Sequence, residues 1–178
     1  GKVSIDPFAI SEPWRRFVTG AQRSGRNVHD TLNRTADGPL KERMAQITRR
    51  LDAGLADVWS VARRGDEIDD AVRRLNPTAL RSKLKTLELQ SASTPSADVA
   101  AAVSSVQSQL QSADRLKALS AETADRLRLA QTRLDELAAR ATEVSVGASD
   151  SAELADDVDE LVVEMEGLRL AVEEINDA

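Results

Sequence analysis

Between Ala97 and Val146 the chain runs for 50 residues without a glycine or a proline. These are the residues that most readily interrupt a helix. Apolar residues recur along the stretch at helical spacing. Val99, Val103, Val106, Leu110 and Ala113 come first. After a phase slip near Leu116 follow Leu127, Ala130, Leu134, Leu137, Ala141 and Val144. The pattern predicts one helix over about 96–145, roughly 75 Å long at 1.5 Å per residue. A stricter pattern succeeds it. Leu154, Val158, Leu161, Met165, Leu168, Val172 and Ile175 are separated by alternating steps of four and three, the seam of a coiled coil. Such a stripe has to meet another helix, in the same chain or in a partner. Gly147-Ala148-Ser149-Asp150 separates the two patterns, and Asp150 with Glu153 three residues later is a capping-box variant. A short loop between two striped helices predicts an antiparallel hairpin. The last helix is about half as long as its partner. The region from Val99 to Leu116 therefore needs cover from earlier helices or from another molecule.

The preceding residues are also helical in period. Residues 1–10 read as an extended leader with Val3, Ile5 and a Pro7 break. Ser11 is the expected N-cap of a helix carrying Trp14, Phe17, Val18, Ala21, Val28 and Leu32, with Pro13 in its first turn. Gly20 and Gly25 weaken that helix by about 1 kcal/mol each relative to Ala. Gly38-Pro39 ends it and starts the next, whose register runs from Leu40 through Met44, Ile47, Leu51, Val58, Val61 and Ile68 to Leu75. Gly65 falls in this seam. It marks a kink, a close crossing or a helix end, and one helix with local irregularity is the favoured reading. Asn76-Pro77 restarts a short helix with Leu80, Leu84 and Leu87. Ser91–Ser96 is the most linker-like stretch. The fold class expected is all-α, a helical bundle with a long antiparallel coiled-coil hairpin. The expected division is a segment 1–94 holding all the aromatics, then the hairpin segment 95–178.

Composition narrows the function classes. Phe8, Trp14, Phe17 and Trp59 are the only aromatics, so the core must be built mainly from aliphatics, with its thickest part in the first third. No cysteine is present, which excludes disulfides, thiolate metal sites and a cysteine nucleophile. One histidine, His29, leaves no pair for zinc and reads as a surface residue. No apolar run reaches the ~20 residues a transmembrane helix needs. Charge is unevenly placed. Residues 1–94 carry a net +5 and residues 95–178 a net −11. The acidic end repels nucleic acid. The basic end can face anionic lipid, an acidic partner, or the acidic helix of its own chain.

Four candidate features remain. Trp14, Arg15, Arg16 and Phe17 begin an amphipathic helix. They are either a membrane or partner contact or, as the narrow stripe favours, core anchors. The dibasic pairs Arg49-Arg50, Arg63-Arg64 and Arg73-Arg74 interleave with acidic residues, which favours solvated intrahelical pairs over a phosphate stripe. The acidic run from Asp156 to Glu166 lacks calcium-loop spacing and reads as a solvated helix face. The seam Leu154, Val158, Leu161, Met165, Leu168, Val172 and Ile175 is the candidate interaction surface. No catalytic, cofactor-binding or metal-ligating constellation is recognised, and an enzyme is the least favoured class.

The strings "IDPFAISEPWRRFV", "TADGPL", "ARRGDEID" with "VRRLNPTALRSKL", and "LSAETADRLRLAQTRLDELAARA" with the acidic tail resemble a family of actinobacterial helical proteins associated with membrane spans. More loosely, the chain resembles the membrane partners of phage-shock protein A in the mycobacterial envelope-stress system. The resemblance covers nearly the whole chain but carries no mechanistic motif. It implies a non-enzymatic coupler between a membrane and a coiled-coil stress protein, cytoplasmic at the inner face of the cell membrane. Independently, the residues predict an interaction or scaffold module without cofactors, whose partner is a helical protein or a second copy. The alternative is a peripheral domain that binds an anionic membrane surface through its N-terminal amphipathic helix.

Overall fold

The computed structural model describes residues 4–174, and its elements are helices joined by short turns, with no strand among the described residues. A short 3-10 turn, Pro7–Ala9, precedes five α-helices: α1 Trp14–Arg34, α2 Pro39–Leu75, α3 Pro77–Ser93, α4 Ala97–Ser145 and α5 Ser151–Glu174. Ile175, the last residue of the expected seam, lies outside the described residues, as does Val3.

The breaks have local chemistry behind them. Pro7–Ala9 is a turn rather than extended chain because Asp6 Oδ1 accepts the Phe8 N–H at 3.0 Å. Ser11 is not the cap of α1. Pro13 holds that position without a side-chain cap, and the Ser11 N–H is instead donated to Asp66 Oδ1 at 3.0 Å. Asn76 stands in the left-handed region at φ 51°, and its side chain accepts the Ala79 N–H, so Pro77 opens α3 without a lost donor. The helix persists through Ser93, which shrinks the expected linker to Thr94, Pro95 and Ser96. The Ser96 hydroxyl then accepts the Val99 N–H at 3.1 Å. At the other end of α4, Gly147 takes φ 77°. The Ala148 and Gly147 N–H groups return to the carbonyls of Glu143 and Val144, a Schellman closure. Asp150 caps α5 through the Ala152 N–H at 2.9 Å. Its expected capping-box partner Glu153 turns instead toward Arg140, at 3.7 Å.

The chain forms two compact units, and they are drawn elsewhere than the expected division at residues 94/95. The first joins the residues up to Asp66 with those from Thr123 onward, and the second is Glu67–Glu122. Both cuts fall inside continuous helices, α2 and α4, where no change of composition marks them.

The first unit is a four-helix bundle of α1, the first part of α2, the last part of α4, and α5. One contiguous apolar cluster runs through it. It includes Trp14, Phe17 and Val18 of α1, Met44, Leu51 and Trp59 of α2, Leu127, Leu134 and Val144 of α4, and Leu154 to Val172 of α5. Each fully buried large side chain contributes about 1.5–3 kcal/mol. Within this unit α4 and α5 form the antiparallel hairpin. Arg133 pairs with Glu164 and Arg140 with Asp157, so seven residues forward on one helix match seven backward on the other. Glycines on α1 and α2 let neighbours press close. A methyl group on Gly54 would stand 3.0 Å from Val162 Cγ2, and one on Gly65 would fall within 3.0 Å of three ring carbons of Trp14. Gly65 is therefore neither a kink nor a helix end. It is the floor of the Trp14 site in an unbroken α2.

The second unit holds the end of α2, α3 and the start of α4 around a thin core of Ile68, Leu80, Val106 and Ala113. Ser120 donates its hydroxyl proton to Asp69. This unit covers in part the Val99–Leu116 stretch that was expected to need it: Val106 and Ala113 are buried, while Val99, Val103, Leu110 and Leu116 are half-buried.

Candidate interaction surfaces

Among the expected site residues, six seam residues from Leu154 to Val172 are buried in the chain's own bundle. The seam is spent on folding and is not an open surface. Trp14 is 0% exposed and Phe17 5%, with their rings in edge contact at 6.1 Å. Arg15 is tied to the Pro7 and Ile10 carbonyls, and Arg128 of α4 lies 5.8 Å over the Phe17 ring. Arg16 remains exposed, 3.9 Å from Glu12. The side chains that would enter a lipid interface are thus unavailable without opening the bundle. Phe8 alone among the aromatics is exposed, at 81%, with the Arg15 guanidinium 5.5 Å from its ring.

The charges also settle largely within the chain. Arg50 of α2 meets Asp159 of α5 at 3.0 Å, and Arg169, the one base of α5, meets Asp57 of α2 at 2.8 Å and Glu173 at 3.1 Å. Burial acts to lower the Arg169 pKa, but the hydrogen bonds and charges of Glu173 and Asp57 outweigh it and raise it. The basic and acidic halves therefore contact each other inside the first unit, one of the outcomes their charges allowed. On the opposite side of that bundle, Ser24 of α1 and Gln131 of α4 both donate to Asp135, at 2.8 and 3.0 Å. His29 is exposed, 3.1 Å from Asp52. The dibasic pairs do not build one stripe: Arg73 and Arg74 both turn to Asp70, at 3.5 and 3.7 Å. In the second unit Arg73, Asn76, Thr78, Arg81 and Lys117 line a shallow groove of about 380 Å³. No group of three or more potential metal ligands occurs among the described residues, and no described helix is long and apolar enough to cross a membrane.

Leu89, Leu129 and Val146 are exposed singly, and the outward face of α5 exposes two large aliphatics together. Asp156, Glu160, Val163, Gly167, Leu170 and Glu174 succeed one another at steps of four and three, a second heptad stripe two residues out of phase with the buried seam. All six are exposed, Val163 by 60% and Leu170 by 48%. None of its three carboxylates has an ion-pair partner among the described residues; the paired carboxylates of α5, Glu153, Asp157, Asp159, Glu164 and Glu173, lie off the stripe. The stripe is visible in the sequence as apolar residues at Val163 and Leu170 in excess of the seam. It is masked there by the stronger pattern beside it.

No protein-family model, no curated protein and no solved structure matches the chain.

Proposed function

We propose that this chain is a non-enzymatic interaction module that docks another protein on the outward face of α5. The supporting observation is the pair Val163 and Leu170, exposed on a heptad stripe whose other long side chains are unpaired carboxylates. Single exposed aliphatics are ordinary on a protein surface. Two at i and i+7, on the line opposite the buried seam, form a strip that a partner can cover. The resemblance to membrane-coupled envelope-stress proteins extends the proposal: the module would work at the cytoplasmic face of a membrane as a scaffold in an envelope-stress assembly.

The test is site-specific photo-crosslinking in the cells that make the protein. A photoreactive residue at position 163 should yield a discrete protein adduct, and one at Arg23 on the outward face of α1 should not. Position 163 capturing nothing above position 23 would refute this reading.

A second reading, peripheral contact with an anionic membrane, is favoured by Phe8, exposed beside Arg15. It predicts salt-sensitive sedimentation with anionic vesicles that is lost in Phe8→Ser.

A further inference from the structure

We infer that the partner docked on α5 is itself an α-helix, basic along its flanks, crossing α5 in close contact at Gly167. The inference rests on the α5 reading above and adds to it the partner's chemistry and the crossing point.

Glycine inside an exposed helix is costly, roughly as disfavoured as any residue except proline. The helical glycines of the first unit each have a reason to be there, with one exception. A Cβ on Gly20 would stand 2.5 Å from Gln131 Oε1, one on Gly25 2.6 Å from Leu55 Cδ1, one on Gly54 3.0 Å from Val162, and one on Gly65 inside the Trp14 ring. In this fold, helical glycine marks a place where something comes close. Gly167 lies in mid-helix, yet a Cβ there would meet nothing within 4 Å. Nothing among the described residues accounts for it.

Its neighbours on the stripe indicate what does. Val163 and Leu170 stand one turn before and one turn after the glycine, so the three form a shallow notch with apolar shoulders. A notch at a glycine between two aliphatics admits a helix at short interaxial distance, its ridge of small or apolar side chains lying across the gap. Beyond the shoulders the stripe ends in Asp156 and Glu160 on one side and Glu174 on the other, with Glu166 alongside, all without ion-pair partners among the described residues. Charge complementarity asks for lysines or arginines flanking the ridge. A second copy of this chain fits less well. Two α5 faces repel each other, the exposed positions of α1 and of α2 up to Asp66, though basic, carry no large aliphatic residue, and α3 and α4 each expose only one, Leu89 (beside Glu88) and Leu129, to meet the pair Val163 and Leu170.

The probe is an 18-residue synthetic peptide, stapled as a helix, with alanine and leucine on one face and lysines on both flanks. Its control has glutamate at every lysine. Fluorescence anisotropy with the full chain should show saturable binding of the lysine peptide. Raising salt from 50 to 300 mM should weaken it several-fold, and the glutamate peptide should not bind. Gly167→Leu fills the notch and should weaken binding at least tenfold. The same substitution should raise the thermal midpoint by roughly 2–4 °C, because it improves helix propensity in open space. That rise separates lost docking from lost folding. Equal binding by Gly167→Leu, or binding indifferent to salt, overturns the inference while leaving the crosslinking result at position 163 to judge the α5 face. A concentration-dependent dimer in sedimentation equilibrium that Gly167→Leu abolishes also overturns it, by making a second copy the occupant.

Discussion

Gly65→Ala is a substitution whose effect should change sign with a single change elsewhere. On helix propensity alone, alanine for glycine in the interior of α2 stabilises by about 1 kcal/mol. Against this stands the ring of Trp14, three of whose carbons would lie within 3.0 Å of the new methyl group. The ring is rigid and fully buried, so it cannot swing aside as an exposed side-chain tip would. Overpacking of a core costs about 1–3 kcal/mol, and three clashing atoms put this case at the upper end. The net expectation is a loss of roughly 1–2 kcal/mol. In a Trp14→Leu background the ring is gone and the methyl has room. Gly65→Ala should then stabilise by up to about 1 kcal/mol, giving a coupling of roughly 2–3 kcal/mol between the two positions. Trp14→Leu alone should cost a few kcal/mol for the vacated volume. The assay is urea denaturation of the four proteins followed by far-UV circular dichroism, compared at constant m value. Gly65→Ala acting with the same sign in both backgrounds would refute the assignment of Gly65 as the floor of the Trp14 site.

Two further outcomes follow from the bundle. Leu161→Asp puts a charge among buried aliphatics of the α4–α5 hairpin. It should cost about 4 kcal/mol, lowering the thermal midpoint by roughly 8–16 °C; an unchanged midpoint would remove Leu161 from the core. Arg169 and Asp57 are both mostly buried, their side chains 27% and 18% exposed. A double-mutant cycle with alanine at each should therefore return a coupling of about 1–2 kcal/mol, above the usual surface ion pair, and a coupling near zero would make the pair incidental.

Helix existence was legible in the sequence because period and caps are local. The breaker-free run from Ala97, the Gly147 stop, the Asp150 start and the Asn76-Pro77 restart all lie where the structure has them. Ser11 misled because capping preference does not fix where a helix begins: α1 starts at Trp14, which puts Pro13, not Ser11, at the cap position. The two units were not legible. Their boundaries cross α2 and α4 in mid-helix, where the next turn of sequence looks like the last, and only tertiary packing draws the line. The aromatics at Trp14 and Phe17 were ambiguous for a related reason. Amphipathic period tells that a face is covered but not by what, and the answer depended on Gly65, some fifty residues away. The same limit explains the candidate surface. Heptads advertise helix pairing, so the strongest pattern drew notice, and the folded chain had already used it. The weaker stripe at Val163, Gly167 and Leu170 becomes meaningful only once the seam is known to be occupied.

The interrupted course of the first unit has a consequence for how the protein is made. Its two stretches are separated along the chain by the whole of Glu67–Glu122. On the ribosome, α1 and the first part of α2 emerge before α4 and α5, the other two helices of their bundle, are synthesised. At roughly 5–20 residues per second, the wait from Asp66 to the end of α5 lasts about 5–20 s. The intervening unit, complete in sequence by Glu122, can assemble during that interval. The nascent chain thus carries a half-built bundle for seconds before α5 arrives to close it.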